Sequence, residues 1–325
     1  MHVARLSSVL KLRAVVPEDA ELACQVFDAH DPDEPQDPDV TRHRWTVNTP
    51  DSVRERFLIE QCGRAVGFAF RGHKWWEPEE HRFAFNDLRL VPVAQERTSA
   101  QGVLDRLEAA NIEEGAETLV ARTREGSRWH IEFLEARGYR HDRLSKAWEL
   151  DLAANRDRLL AERDDSRRAM REQGIALGTQ ASDDDPELVQ KLYRLNAETT
   201  LDVPTTVPHS TWSLEEFKMW GASPEFRSDR SWIARDGDEV VAWSFLKYPR
   251  VGRVWTGYTC SARSHRGRGI ARAVKMETLG QAIELGVTSV RTDNDEANAP
   301  MLHINEKLGY HRIPGFVSYL KDVRQ

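Results

Sequence analysis

TCSARSHRGRGIARAVK, Thr259 to Lys275, passes from a short β-type segment through a turn holding Gly267 and Gly269 into a helix-prone run that starts at Ile270. Strand, glycine turn and helix in that order make an anion site. The first N–H groups of a helix have no partner within it, and the helix dipole places partial positive charge at the same end. Gly267 and Gly269 let the backbone approach a ligand closely, because neither carries a Cβ and unusual φ is cheap for glycine. Arg266 and Arg268, with Arg263, His265, Arg272 and Lys275 nearby, make the mouth of the turn locally basic. The expected ligand is anionic.

Working outward, two other phosphate-binding designs drop out. A nucleotide-hydrolase loop needs a Gly-Lys-Ser/Thr ending, which is absent. A dinucleotide fold puts its glycine turn after the first strand, whereas this turn lies in the last quarter of the chain. Arg266-Gly267-Arg268-Gly269-Ile270-Ala271 fits the Arg/Gln-x-x-Gly-x-Gly/Ala pyrophosphate signature of the GNAT acetyltransferases, and the chain resembles that superfamily. Asn298-Ala-Pro-Met-Leu-His-Ile-Asn305-Glu-Lys-Leu-Gly309-Tyr310 is similar to the helix and strand entry that close such a fold. The resemblance implies an α/β (α+β) fold with a mixed, mostly antiparallel central sheet flanked by helices. It also implies acetyl-CoA, or another acyl-CoA, as cofactor.

The first half of the chain echoes the second. Phe133 to Tyr139 resembles Ile304 to Tyr310, and Phe57 to Phe70 resembles Trp232 to Phe245, with Gly63 and Gly237 at matching turns. The chain therefore reads as a divergent tandem repeat. At the place of the phosphate turn, however, the first half has Val91 to Gly102, where paired glycines are missing and Glu96 adds negative charge. The expected division is a degenerate GNAT-like domain without a cofactor motif over 1–152, a charged helical linker over 153–173 ending at Gly174, and an acetyl-CoA-binding GNAT domain over 174–325.

Within that division the spacing predicts a first strand at Leu10 to Val15, helix and then strands over Ser52 to Phe70, and a helix from Val103 to Glu114. In the second half it predicts strands at Ile175 to Thr179, Ser231 to Ala234, Val240 to Leu246 and Arg253 to Thr259, with helices from Pro186 and Leu214. The Pro- and Thr-rich loop Leu201 to Trp212 lies where a small-molecule acceptor is selected over a rigid sheet. Trp75 and Trp76 suit either a lid or a cover for the core.

At 325 residues with 40% hydrophobic composition, the chain suits two domains of ordinary size. A net charge of −7 argues against a nucleic-acid partner. No run approaches the roughly 18 apolar residues of a membrane helix. Cys24, Cys62 and Cys260 read as reduced thiols, and the N-terminus lacks a signal peptide's apolar core, so the expected location is cytoplasmic. The histidines and cysteines show no close metal-ligand spacing, and no Gly-x-Ser-x-Gly elbow occurs.

By resemblance, backbone groups of Thr259, Cys260 and Ser261 hold the pantetheine arm, Arg266, Gly267, Arg268, Gly269, Ile270 and Ala271 the pyrophosphate, and Asn298 reaches the cofactor from the next helix. The implied reaction is attack by a neutral amine on the thioester, most of whose advantage comes from proximity. Many GNAT enzymes place a Tyr four residues before the closing Gly to protonate the departing thiolate; this chain has Asn305 there, which donates hydrogen bonds but no proton. Other candidates are Glu198, Asp202 and His209 in or near the acceptor loop, and Tyr258 on the strand, each of which also suits a surface or packing role. His303 reads as structural, and Cys260 as a small strand residue rather than a nucleophile.

The expected function is acetyl transfer to the amine of a small molecule in a ternary complex, by a monomer or homodimer. The acidic stretches Asp31 to Asp39 and Asp183 to Asp185 favour a cationic acceptor. The alternatives are a non-catalytic acyl-CoA sensor or scaffold, another acyl donor, or a hydroxyl acceptor.

Overall fold

The computed structural model describes residues 10–47, 52–77, 80–208 and 212–323. They form two compact units, Met1–Arg143 with Phe316–Gln325, and Leu144–Gly315. In the first unit β1 (Lys11–Ala14), β2 (Ser52–Gln61), β3 (Arg64–Lys74) and β4 (Phe83–Leu90) pair antiparallel in order. The β2–β3 turn closes on Cys62-Gly63 with φ of 51° and 76°, the pair of positive values a tight two-residue hairpin needs. The helix expected from Ser52 is absent: every residue from Ser52 to Gln61 is paired against β3, which takes the backbone groups a helix would use.

β4 then pairs parallel with β5 (Thr118–Arg124) at four positions, Phe83↔Thr118 through Asn86↔Ala121. Helices α1 (Ala20–His30), α2 (Pro38–Thr46), α3 (Arg97–Glu113) and α4 (Arg128–Glu135) complete the unit. Ala23, Cys24, Val26 and Phe27 of α1 bury against Leu58 and Phe68. The helix α3 starts at Arg97 rather than Val103, because Glu96 caps it. Trp76 stacks on buried His73 at 4.2 Å and donates to the Phe83 carbonyl, so it covers the core, while Trp75 is 54% exposed.

The second unit takes β6 (Arg140–Asp151) from Leu144 onward, α5 (Arg156–Glu172), β7 (Ile175–Thr179), α6 (Leu188–Thr200), α7 (Leu214–Gly221) and β8 (Ser231–Asp236). It continues through β9 (Glu239–Lys247), β10 (Trp255–Ser261), α8 (Ile270–Glu284), β11 (Ser289–Asp295) and α9 (Ala299–Leu308). Its strand order is β6-β11-β10-β9-β8-β7. Alternation along β9 divides the core between two layers. Trp243 and Phe245 pack with Leu192, Leu195 and Phe217 of α6 and α7, while Ala242 and Leu246 face α8 and the residues behind it.

The stretch expected to be a helical linker is the helix α5, and it is packed against the second unit's core. On α5, Leu159 and Met170 enter the cores, Arg163 donates to Glu284 at 2.6 Å, and Arg167 grips buried Glu277 with two bonds of 2.6 and 2.7 Å. Its charges are there for partners on α8 rather than for solvent. The last strand, β12 (His311–Asp322), is divided: Phe316–Asp322 pairs with β5 and belongs to the first unit. The linear division into 1–152 and 174–325 does not contain this exchange.

Candidate active site

The site grows from β10. It pairs with β9 from Trp255 to Ser261, but its parallel register with β11 is confined to Trp255↔Arg291. Beyond that point β10 and β11 part, and the edge of Thr259, Cys260 and Ser261 that does not face β9 has no registered partner among the described residues. A bulge between Thr256 and Tyr258 falls on Gly257, where a Cβ would stand 2.0 Å from the Phe245 ring, so packing of that ring demands glycine.

After β10 the chain turns through Gly267 (φ 76°) and Gly269 (φ 80°) into α8. A Cβ at either glycine would meet nothing within 4 Å. What calls for glycine is therefore the left-handed backbone and not crowding. Gly269 is the N-cap, no side chain caps the helix, and no acid lies in its first turn. Amides of the first turn are thus presented outward without a competing carboxylate, and the groups present fit a phosphate.

The basic side chains are less available than their number suggests. Arg263 and Arg266 share Asp202, with Arg263 Nε donating to its Oδ2 at 2.9 Å. Arg268 and His265 share Asp236, at 3.3 and 3.2 Å. Arg272 is paired with Glu162 at 2.6 Å. Lys275, expected at the mouth, is fully buried: it lies on a helix whose Ala273, Val274, Met276 and Leu279 are all in the core. The arginines near the turn are therefore already paired with carboxylates, while the first amides of α8 have no side-chain cap.

Candidate acid–base residues have other work. The Arg263 and Arg266 guanidiniums hold the Asp202 carboxyl well below the usual carboxylate range, which makes it a poor proton acceptor. Glu198 Oε1 accepts the Arg263 backbone N–H at 2.6 Å and braces the turn against α6. The Tyr258 hydroxyl lies 2.9 Å from Thr199 Oγ1 and 3.3 Å from Thr200 Oγ1, and burial pushes its pKa up to about 12. Burial likewise pushes the Cys260 thiol up to about 12, which leaves it inert. Asn298 Oδ1 caps α9 by accepting from the Met301 N–H. His303 is exposed on α9, and His209 lies outside the described residues.

Asn305 is fully buried. Its Oδ1 accepts from Lys275 Nζ at 3.1 Å and its Nδ2 donates to Asn294 Oδ1 at 2.8 Å. The Lys275 contact has no sequence signal, because α8 is buried on nearly every side and helical periodicity marks no special face.

The acidic stretches are also committed. Arg235 grips Asp183 with bonds of 2.6 and 2.9 Å and reaches Asp185 at 2.8 Å, while Lys191 meets Asp185 at 2.7 Å. Asp31 meets Arg124 at 3.2 Å, Asp37 accepts the Asp39 N–H at the start of α2, and Asp39 pairs with Arg42. These carboxylates hold loops together, so the argument from charge to a cationic acceptor loses its support.

Residues 190–310 match the model of the Acetyltransferase (GNAT) family. Among solved structures, a tandem GNAT protein from the clavulanic acid biosynthesis pathway, determined without acetyl-CoA, is 15% identical with a TM-score of 0.72, covering 97% of this chain and 99% of its own. A GCN5-related N-acetyltransferase from Sphaerobacter thermophilus is 19% identical with a TM-score of 0.64, covering 97% and 96%. A GCN5-related glucosamine N-acetyltransferase region of a fungal multi-domain GH3 β-N-acetylglucosaminidase is 15% identical with a TM-score of 0.66, covering 98% of this chain and 39% of that one. No curated protein matches the chain. No helix among the described residues is long and apolar enough to cross a membrane. The GNAT family model therefore covers residues 190–310, and the fold of the chain as a whole is the one seen in tandem GNAT structures.

Proposed function

We propose that the second unit transfers an acetyl group from acetyl-CoA to the amine of a small molecule. The observation that carries this reading is the uncapped start of α8 behind two left-handed glycines, set at the end of a strand that parts from its neighbour. Amides from Arg266 to Ala271 receive the diphosphate, with Arg266 turning to it from Asp202. The outward edge of Thr259 to Ser261 holds the pantetheine arm, and the Asn298 amide nitrogen is left to donate while its oxygen caps α9. When bound, acetyl-CoA supplies an activated acyl carbon. The chain's own part is to place it beside the acceptor loop after α6 and to keep the turn braced through Glu198.

The first unit acts as a scaffold in this reading, because Glu96 occupies its equivalent helix start. Asn305 at the place of the usual tyrosine favours the rival, a non-catalytic acyl-CoA sensor. Calorimetric titration with acetyl-CoA, run alongside thiol release over a panel of amines, tests both. Binding with turnover is expected; binding without turnover leaves the sensor, and absence of binding overturns both.

A further inference from the structure

Beneath the gap between β10 and β11 lies a buried polar cluster that a stable core does not need. Lys275 is 0% exposed, yet its ammonium has one hydrogen bond, to Asn305 Oδ1 at 3.1 Å, and otherwise sits 5.1 Å from the centre of the Tyr310 ring. Its two other N–H bonds have no acceptor among the described residues. The Tyr310 hydroxyl stands beside that of Thr256 on β10, but the pair does not meet hydrogen-bond geometry, and both oxygens are buried without a partner. Unsatisfied buried donors and a buried amine cost stability, so a buried cluster of this kind points to a ligand or a reaction.

The place of the cluster narrows the choice. Asn305 stands where the resemblance to GNAT enzymes implies a tyrosine that protonates the departing thiolate, and an amide has no proton to give. The group touching Asn305 does. Resting on the acyl-CoA reading above, we propose that Lys275, held by Asn305, is the proton donor to the leaving thiolate. As the amine nitrogen bonds to the acyl carbon, the C–S bond breaks with its electron pair going to sulfur. Lys275 gives an N–H proton to that sulfur and becomes a neutral amine. The proton lost by the attacking nitrogen passes to water, from which Lys275 is recharged.

The chemistry suits the role. Burial lowers the Lys275 ammonium to about 7, and no charged side chain opposes this: its neighbours are Asn305 from α9, Tyr310 beyond it, and Asn294 from β11 through Asn305. On its own helix Glu277 is taken by Arg167 and Arg272 by Glu162. An ammonium near 7 gives its proton downhill to a thiolate whose conjugate acid lies near about 8.5, whereas an ordinary phenol near about 10 gives it uphill.

The test uses the full chain, acetyl-CoA and the best amine of the panel. K275M is expected to bind acetyl-CoA within about twofold of wild type and to melt at the same or a higher temperature, since it removes a buried charge, while kcat falls about a hundredfold. K275R, which keeps the charge but holds its proton, loses as much. N305Y placed in K275M restores about tenfold by returning a phenol to the site. Independently of activity, the ε-carbon NMR signal missing in K275M titrates near pH 7 in wild type. Wild-type kcat in K275M, a parallel loss of melting temperature and acetyl-CoA affinity, or a lysine signal titrating near 10 overturns the proposal. If wild type itself fails to bind acetyl-CoA, the acyl-CoA reading falls and takes the proposal with it.

Discussion

The two units answer the same local problem, the orphan amides of a helix start after a sheet strand, in opposite ways. At α3 the Glu96 carboxylate accepts from the Thr98 N–H at 3.0 Å and the Ser99 N–H at 2.7 Å, so the helix carries its own anion. At α8 no side chain does this, and the left-handed glycines hold the turn open. The neighbouring strands differ in the same sense: β4 and β5 stay in register for four positions, β10 and β11 for one. The cap residue, Glu96 against Gly269, thus decides whether the first amides of the helix are satisfied by a side chain of the chain itself.

The largest expected effect comes from forcing the open helix start toward an ordinary backbone. The double variant G267V/G269V puts branched side chains at φ of 76° and 80°, and CoA affinity measured by calorimetry is expected to fall at least about a hundredfold, roughly 2.7 kcal/mol. The strain lies in the backbone and not in crowding, so a melting curve of the variant separates lost folding from lost binding; unchanged affinity would separate the turn from the ligand.

Hydrogen exchange sharpens the comparison next. Added CoA should slow exchange of the Ile270, Ala271 and Arg272 amides and leave those of Thr98 and Ser99 unaltered, because Glu96 already holds the latter. Protection on α3 instead would reverse the assignment of the units.

A smaller effect is expected at Asp202. D202N frees Arg263 and Arg266 from a shared carboxylate, and CoA binding should tighten about two- to fivefold at low salt, with a steeper salt dependence. Weaker binding would mean that the carboxylate positions the arginines.

The smallest effect is a pH signature of the self-capped helix. Hydrogen bonds from Ser99 and then Thr98 lower the Glu96 carboxyl from 4.5 to about 2. A depressed carboxyl adds stability that is present above the unfolded pKa and is lost as pH falls through the folded one. The difference in urea midpoint between wild type and E96Q should therefore be constant above pH 4.5 and shrink between about 4.5 and about 2. A difference that persists at the acid end would remove the charge from the explanation.

Much of the second unit was legible because its signals are local. Gly267 and Gly269 mark a turn whatever surrounds them, and Asn298 with Gly309 brackets α9 as cap and left-handed stop, as the structure shows at φ 84°. The strand Ile175 to Thr179 appears at its expected bounds because its neighbours, Gly174 and the turn after Thr179, end it on both sides. By contrast the charged run of α5 looked like a spacer, since nothing in Arg163 or Arg167 announces that Glu284 and Glu277, more than a hundred residues on, will meet them. The helix expected at Ser52 failed for a related reason: pairing with β3 overrode a weak local preference.

Residue order alone marked the open glycine turn before α8 and the capped start of α3, because caps, glycine turns and their absence act over a few residues. It could not say which charges are spent on one another, that the closing strand serves the first unit, or that Lys275 ends at Asn305 in the dark of the core. Those outcomes depend on groups far apart in sequence competing for the same partner, and that competition is resolved only when the chain is packed.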